Sequence, residues 1–209
     1  MKKKSLNKPK SNPTPRKGAD WDAALRLLKK KRLMTHAEFA KIGISGVKLR
    51  RSAEAGEILS LGSGIYADAS IDLFTASVQA ISKYYPLAVI SGFTALKIHG
   101  LSNEFIEKID VDIPRSASIR NKLLKAHRVA EKRIAGVIRL KYEGVSIRIY
   151  NIERSLCEAY RLDPAGSLFF RALKRYVALG NIKISKIQEY DLIANTRVLF
   201  HLRQELADA

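Results

Sequence analysis

Residues 33–69, LMTHAEFAKIGISGVKLRRSAEAGEILSLGSGIYADA, decide how the N-terminal part of the chain folds. Thr35 and Glu38 stand in T-x-x-E spacing, so each side chain can satisfy a backbone donor that a helix start leaves open. Phe39 and Ala40 then point to a core, and Gly43 is the expected left-handed stop. Ser45 is placed to cap a second helix that runs to about Ala55 and halts at Gly56. At about 100° per residue, Leu49 and Ala53 share one face of that helix, while Val47, Lys48, Arg50, Arg51 and Glu54 spread over the other side. Ile58–Leu61 and Ile65–Ala67 are two short β-rich runs around Gly62-Ser63-Gly64, which predicts a hairpin. Helix, turn, helix and hairpin in that order predict a winged helix-turn-helix.

In such a motif the second helix lies in the major groove and Lys and Arg hold phosphates. The expected DNA-binding residues are therefore Ser45, Gly46, Val47, Lys48, Arg50, Arg51 and Ser63. A helix ahead of the motif is marked by Trp21, Leu25 and Leu28 at i, i+4 and i+7, from about Asp20 to Lys31. Its closing run supplies Lys29, Lys30 and Lys31, which complement the helix C-terminus and can also reach phosphate. The competing reading of all these cations is a solvated surface.

Composition favours a polyanionic partner: the 209 residues carry a net charge of +18. With 46% hydrophobic residues, the chain can bury a proper core. The single Cys157 excludes an intramolecular disulfide and a Cys-rich zinc site. No apolar run approaches membrane-spanning length and no signal peptide is visible, so a reducing cytoplasm is expected and no membrane partner. Residues 1–18 hold seven Lys/Arg and no acid, with Pro9, Pro13 and Pro15, and read as a disordered basic arm. Residues 19–69 form the expected DNA-binding domain and 70–86 a linking helix. The remainder, 87–209, reads as an α+β domain ending in helices. Residues 116–209 are net +9, more than a repressor held by its winged helix alone needs. Arg120, Lys122, Lys125, Arg128, Lys132 and Arg133 are the expected auxiliary basic surface.

Within that second half, 72–85 reads as a helix ending before Pro86, Leu87–Ile90 as a short strand, and Gly92–His99 as a helix stopped by Gly100. Lys108–Ile113 alternates, with Ile109, Val111 and Ile113 on one face and Asp110 and Asp112 on the other. Residues 138–142 and 145–150 pair around Glu143-Gly144. Helices follow at about 152–161 and 164–179, the latter with Pro164 first behind a capping Asp163, and then two more. The fold class is α+β: a small mixed sheet with packed helices behind the winged helix.

Five segments together resemble the AbiEi family, the antitoxin and repressor half of AbiE type IV toxin–antitoxin (abortive phage infection) systems. They are Gly62-Ser63-Gly64-Ile65-Tyr66, SGFTALKIHGL at 91–101, IDVDIPR at 109–115, IYNIERSLCEAY at 149–160, and the helix around Arg171–Tyr176. They span roughly residues 20 to 180. The resemblance implies a bacterial cytoplasmic protein that represses its own operon through double-stranded operator DNA with inverted repeats. It also implies functional antagonism of a nucleotidyltransferase-like toxin without a stable complex. Many family wings carry a basic residue between the two glycines; here it is Ser63, and Lys or Arg elsewhere, the arm among them, has to replace it.

An enzyme is the rival. Asp110-x-Asp112 fits the alternating strand of nucleotidyltransferases, where paired carboxylates hold Mg²⁺ against a nucleoside triphosphate. Phe93 occupies a position that there takes Gly or Ser, and no third carboxylate follows, so a catalytically silent, degenerate relative of that fold is the preferred form of this idea. Otherwise Asp110 and Asp112 form the solvent face of a strand beside Arg115. A non-specific nucleic-acid-coating protein is the third class. His36, His99, His127 and His201 show no metal spacing, and Cys157 reads as core. No catalytic residue, metal or cofactor is expected.

Overall fold

The computed structural model describes residues 20–164 and 166–207; the basic arm at 1–18 lies outside the described residues. The carboxylate of Asp20 caps the first helix, α1 (Trp21–Lys31), by accepting from the Asp22 and Ala23 amides. A short strand, β1 (Leu33–Thr35), leads into α2 (His36–Lys41) and α3 (Gly46–Glu54), then β2 (Ile58–Ser60) and β3 (Ile65–Asp68). The three strands form an antiparallel sheet in the order β1-β3-β2. The capping box is complete, with the Thr35 amide 2.8 Å from Glu38 Oε2 and the Glu38 amide 3.2 Å from Thr35 Oγ1. Partial burial opposes ionisation of Glu38, but the Thr35 amide and the Lys31 ammonium outweigh it and hold the carboxyl below its ordinary range.

Leu28, Met34, Phe39, Ile44, Leu49 and Ile58 fill the space between these helices and the sheet. Ala40 departs from expectation: it is exposed. Helix α2 has under two turns, so Phe39 takes its inward position, and Ile44 from the turn closes the core instead.

Asp72 caps α4 (Leu73–Tyr84) through the Thr75 amide. Residues 75–81 are buried without a break, as in a helix covered on all sides. Ala76 and Ala80 meet Leu33, Leu61, Ile65 and Ala67, while Val78 and Ile81 meet the second sheet. The segment read as a link thus holds a core helix. It stops at Tyr85 because Pro86 restrains the residue before it and lacks an amide.

The second sheet is built from β4 (Val89–Ile90), β5 (Ile109–Pro114), β6 (Leu124–Val129), β7 (Val137–Tyr142) and β8 (Val145–Tyr150), with α5 (Gly92–Ile98) between β4 and β5. Its order is β6-β5-β4-β8-β7; β5–β6 and β4–β8 are parallel and the other pairs antiparallel. Glu143 and Gly144 turn the last hairpin with φ of 45° and 81°, as a two-residue type I′ turn requires. Ile109, Val111, Ile113, Ile147 and Ile149 share a cluster with α4.

Helices α6 (Ile152–Leu162), α7 (Ser167–Ala178), α8 (Ile184–Ala194) and α9 (Val198–Ala207) pack around Phe169, Leu173, Ile187, Val198 and Leu202. The start of α7 corrects the expectation at Pro164. Asp163 closes α6 instead, and its carbonyl accepts from the Gly166 amide at 3.1 Å in a turn before α7. A Cβ at Gly166 would fall 2.1 Å from Asp163 Oδ2, so this turn takes glycine. The chain is α+β, and among the described residues no helix is long and apolar enough to cross a membrane.

Candidate nucleic-acid interface

Helix α3 begins where Ser45 Oγ accepts from the Lys48 amide at 3.2 Å. Gly46 lets this start approach α2, since a Cβ there would stand 2.9 Å from His36 Nε2. Leu49 and Ser52 are buried against the body. Val47, Arg50, Arg51 and Glu54 are exposed on the outer side. Arg50 Nε lies 3.8 Å from Glu54 Oε1, but both side chains are over two-thirds exposed (72% and 67%), so this pair holds the guanidinium only weakly. Arg51 makes no ion pair among the described residues.

Lys48 belongs to a different arrangement. Its ammonium sits 4.6 Å over the Trp21 ring and 3.9 Å from Glu57 Oε2, while Trp21 Nε1 donates to that same oxygen at 3.0 Å. Three residues, from α1, α3 and the turn just before β2, thus meet at the partly exposed edge of α3. Lys48, one of the expected DNA-binding residues, is therefore half-exposed and shared with Trp21 and Glu57.

Lys29, Lys30 and Lys31 are exposed at the opposite end of α1, roughly 15 Å along its axis from Trp21. Lys31 is 3.1 Å from Glu38 Oε1. Lys29 lines an open cavity of about 480 Å³ with Arg32, Asp68, Asp72 and Glu143.

The hairpin tip is also engaged. Gly62, Ser63 and Gly64 all have positive φ, at 78°, 51° and 70°. The Ser63 hydroxyl donates to the Arg120 carbonyl at 2.6 Å. The Asn121 side-chain amide donates to the Leu61 carbonyl at 2.9 Å and approaches Tyr85 Oη at 3.4 Å. Ser63 is exposed, and its hydroxyl is turned onto the second half of the chain.

The same contact sets Arg120 beside the hairpin across a sequence separation of 57 residues. Lys122, Lys125, Arg128 and Lys132 are exposed, the middle two on β6 at the sheet edge. Arg133 does not belong with them: it is partly buried, donates to the Ala194 carbonyl at 2.9 Å, and offers its own carbonyl to Arg154.

The carboxylate pair is not a solvent face. Asp110 and Asp112 are 6% and 0% exposed. Asp112 accepts from Ser91 Oγ at 2.8 Å and Tyr150 Oη at 3.1 Å, one bond to each carboxylate oxygen. Burial, and then the nearby Glu158 charge, push its carboxyl above the ordinary range. Asp110 Oδ1 is 3.0 Å from His127 Nε2. An Mg²⁺ held against a triphosphate needs open carboxylate oxygens, and Asp112 has none. Asp110 lines a cavity of about 370 Å³ together with Phe93, Phe105, Lys108 and Lys125. Strand alternation read this face as wet because the sequence of β5 does not reveal that α6 and the turn into α5 cover it.

The fold has a solved counterpart. The crystal structure of the RV2827C protein from Mycobacterium tuberculosis superposes with a TM-score of 0.64 at 13% identity, over 90% of this chain and 80% of that one. At that identity the likeness shows the fold alone. No family model matches the sequence, and no curated protein matches it either.

Two features of the interface have no short-range signature. The Trp21–Lys48–Glu57 cluster joins residues up to 36 apart. Asn121 carries no local signal either, because its partners Leu61 and Tyr85 lie 60 and 36 residues away. Cys157 stands in the core, as the sequence suggests. The thiol is fully buried and burial raises it, while burial lowers the His99 imidazole, whose Nε2 lies 2.7 Å from the Tyr150 carbonyl.

Proposed function

We propose that this protein is a DNA-binding transcriptional autorepressor and antitoxin, with α2 and α3 as a helix-turn-helix and the β2–β3 hairpin as its wing. The observation that carries the reading is the division within α3. Leu49 and Ser52 hold the helix to the body, and Arg50, Arg51 and Val47 face outward with only an exposed pair to Glu54. A rigid helix with hydrated cations on its open side can exchange water for phosphates and base edges at little cost. The element order α1, β1, α2, α3, β2, β3, with β1 paired to β3, supports the winged-helix reading. Arg120, beside the hairpin tip, extends the basic surface there.

The resemblance to AbiEi supplies the rest of the proposal: inverted repeats in the protein's own promoter, a cytoplasmic setting, and antagonism of a nucleotidyltransferase-like toxin without a stable complex. The protein has no catalysis of its own in this reading, and the closed Asp112 supports that.

Fluorescence-anisotropy titration of the full chain tests the reading, using a duplex of its own upstream DNA and a scrambled duplex across a salt series. A preference of about a hundredfold or more that persists at physiological salt is expected. Equal affinities that collapse together with salt would overturn it in favour of a non-specific coat.

A further inference from the structure

Asp110 leaves one carboxylate oxygen uncommitted at a cavity. The residue is 6% exposed, its Oδ1 meets His127 Nε2 at 3.0 Å, and Oδ2 takes no hydrogen bond among the described residues. Its register partner across the parallel β5–β6 pair is Lys125, and Phe93, Phe105 and Lys108 line the same space of about 370 Å³. That is the size of a small-molecule pocket. With Asp112 closed by Ser91 and Tyr150, Asp110 serves here as a hydrogen-bond acceptor and not as half of a metal pair.

Three kinds of group thus face one cavity, and each matches a different part of a ligand. A carboxylate only accepts, so Asp110 calls for N–H donors, at a buried position where an unmatched partner is costly. Phe105 is 86% exposed at the mouth, with its ring open to a flat partner. Lys108 and Lys125 are exposed and make no ion pair among the described residues, which suits an anionic group. Glu107, exposed at the same mouth, leaves the two ammoniums in excess. A nucleoside phosphate carries all three parts. Among the bases, guanine alone sets two N–H donors side by side, N1–H and the 2-amino group. Adenine and cytosine place an acceptor beside their amino group, and uracil places carbonyls on both sides of its N–H.

We propose that this cavity binds a guanosine phosphate, with Asp110 on the base edge, Phe105 on its face and Lys108 and Lys125 on the phosphate. His127 holds the carboxylate in place. The ligand is a free mononucleotide or one unit of a single strand, which present the same chemistry, and no bond is made or broken there. The inference stands apart from the DNA-binding reading, which uses α3 and the first sheet.

Calorimetric titration of the full chain with GMP, IMP and AMP tests it. The three carry the same charge, so attraction to a basic protein does not separate them, and IMP lacks only the 2-amino group. GMP should bind with a Kd below about 1 mM and about tenfold or more tighter than IMP or AMP. Phe105→Ala, at an exposed position outside the core, should weaken GMP about tenfold. Lys108→Ala with Lys125→Ala should weaken GMP severalfold and leave guanosine unchanged. Asp110→Asn should lose GMP and gain xanthosine monophosphate, whose N1–H and O2 match the mixed edge of an amide; a misfolded chain does not show such a reversal. A short oligouridine with one central guanosine, set against the same strand with inosine, separates the two sources. A preference for guanosine means that a strand reaches the cavity, and no preference means that the free nucleotide alone does. Equal affinities for GMP, IMP and AMP, no binding up to about 1 mM, or GMP binding untouched by Phe105→Ala and Asp110→Asn overturns the proposal.

Discussion

Helices α3 and α6 carry the same kinds of charged side chain in opposite surroundings. On α3, Arg50, Arg51 and Glu54 stand in solvent. On α6, Glu153, Arg154 and Glu158 are buried, with Arg154 Nη2 2.5 Å from Glu158 Oε1, Arg161 Nε 2.6 Å from Glu158 Oε2, and the Arg154 guanidinium 5.1 Å over the Tyr150 ring. A hydrated arginine can trade its water for phosphate; a desolvated one is bound to its partner and serves the core. Net charge therefore overstates the binding surface, because Arg133, Arg154 and Arg161 are held inside or against the second half of the chain.

The sharpest break in this comparison is Arg154→Ala. Removing Arg154 takes from buried Glu158 its fully buried partner and leaves only the partly exposed Arg161 to compensate it, and a loss of about 3 kcal/mol in unfolding free energy is expected from urea denaturation. A loss below about 1 kcal/mol would mean that α6 tolerates its charges without pairing them.

Arg50→Ala with Arg51→Ala should do the reverse. Stability should move by no more than about 0.5 kcal/mol. Operator affinity, read by anisotropy, should fall by about 1–3 kcal/mol for each base edge that an arginine no longer reaches.

The third test turns on pH. Because burial and Glu158 raise the Asp112 carboxyl, the folded chain keeps a proton there that the unfolded chain gives up near pH 4. Between that pH and the raised folded value, stability falls as pH rises. Asp112→Asn has no proton to lose, so the difference in unfolding free energy should shift toward the variant as pH climbs from about 4. Parallel profiles in a urea series would contradict the assignment.

The smallest effect belongs to Ser63→Ala, which removes one exposed hydrogen bond between the hairpin tip and Arg120. A loss of about 1 kcal/mol is expected, measurable as a shift in thermal midpoint.

Features with local causes were legible in the sequence. The Thr35–Glu38 box, the cap at Ser45 and the Glu143-Gly144 turn each depend on residues within about four positions, and each is present. Strand β1 was not legible, since three residues cannot show a period and it forms only by pairing with β3, some thirty residues on. Strand β6 reads LKAHRV, with no alternation, and owes its place to β5. The candidate site divides along the same line. The outward Arg50 and Arg51 follow from helical periodicity, whereas the capture of Lys48 by Trp21, the tie of Ser63 to Arg120 and the burial of Asp112 arise from distant partners.

Helix α4 offers Ala76 and Ala80 to one sheet and Val78 and Ile81 to the other, so neither sheet can shed its cover without stripping the second. Heat or denaturant should then meet a single cooperative transition, with the amides of residues 75–81 among the last to exchange with solvent. In mechanical terms the two sheets share an axle, and a load placed on one is carried by the other.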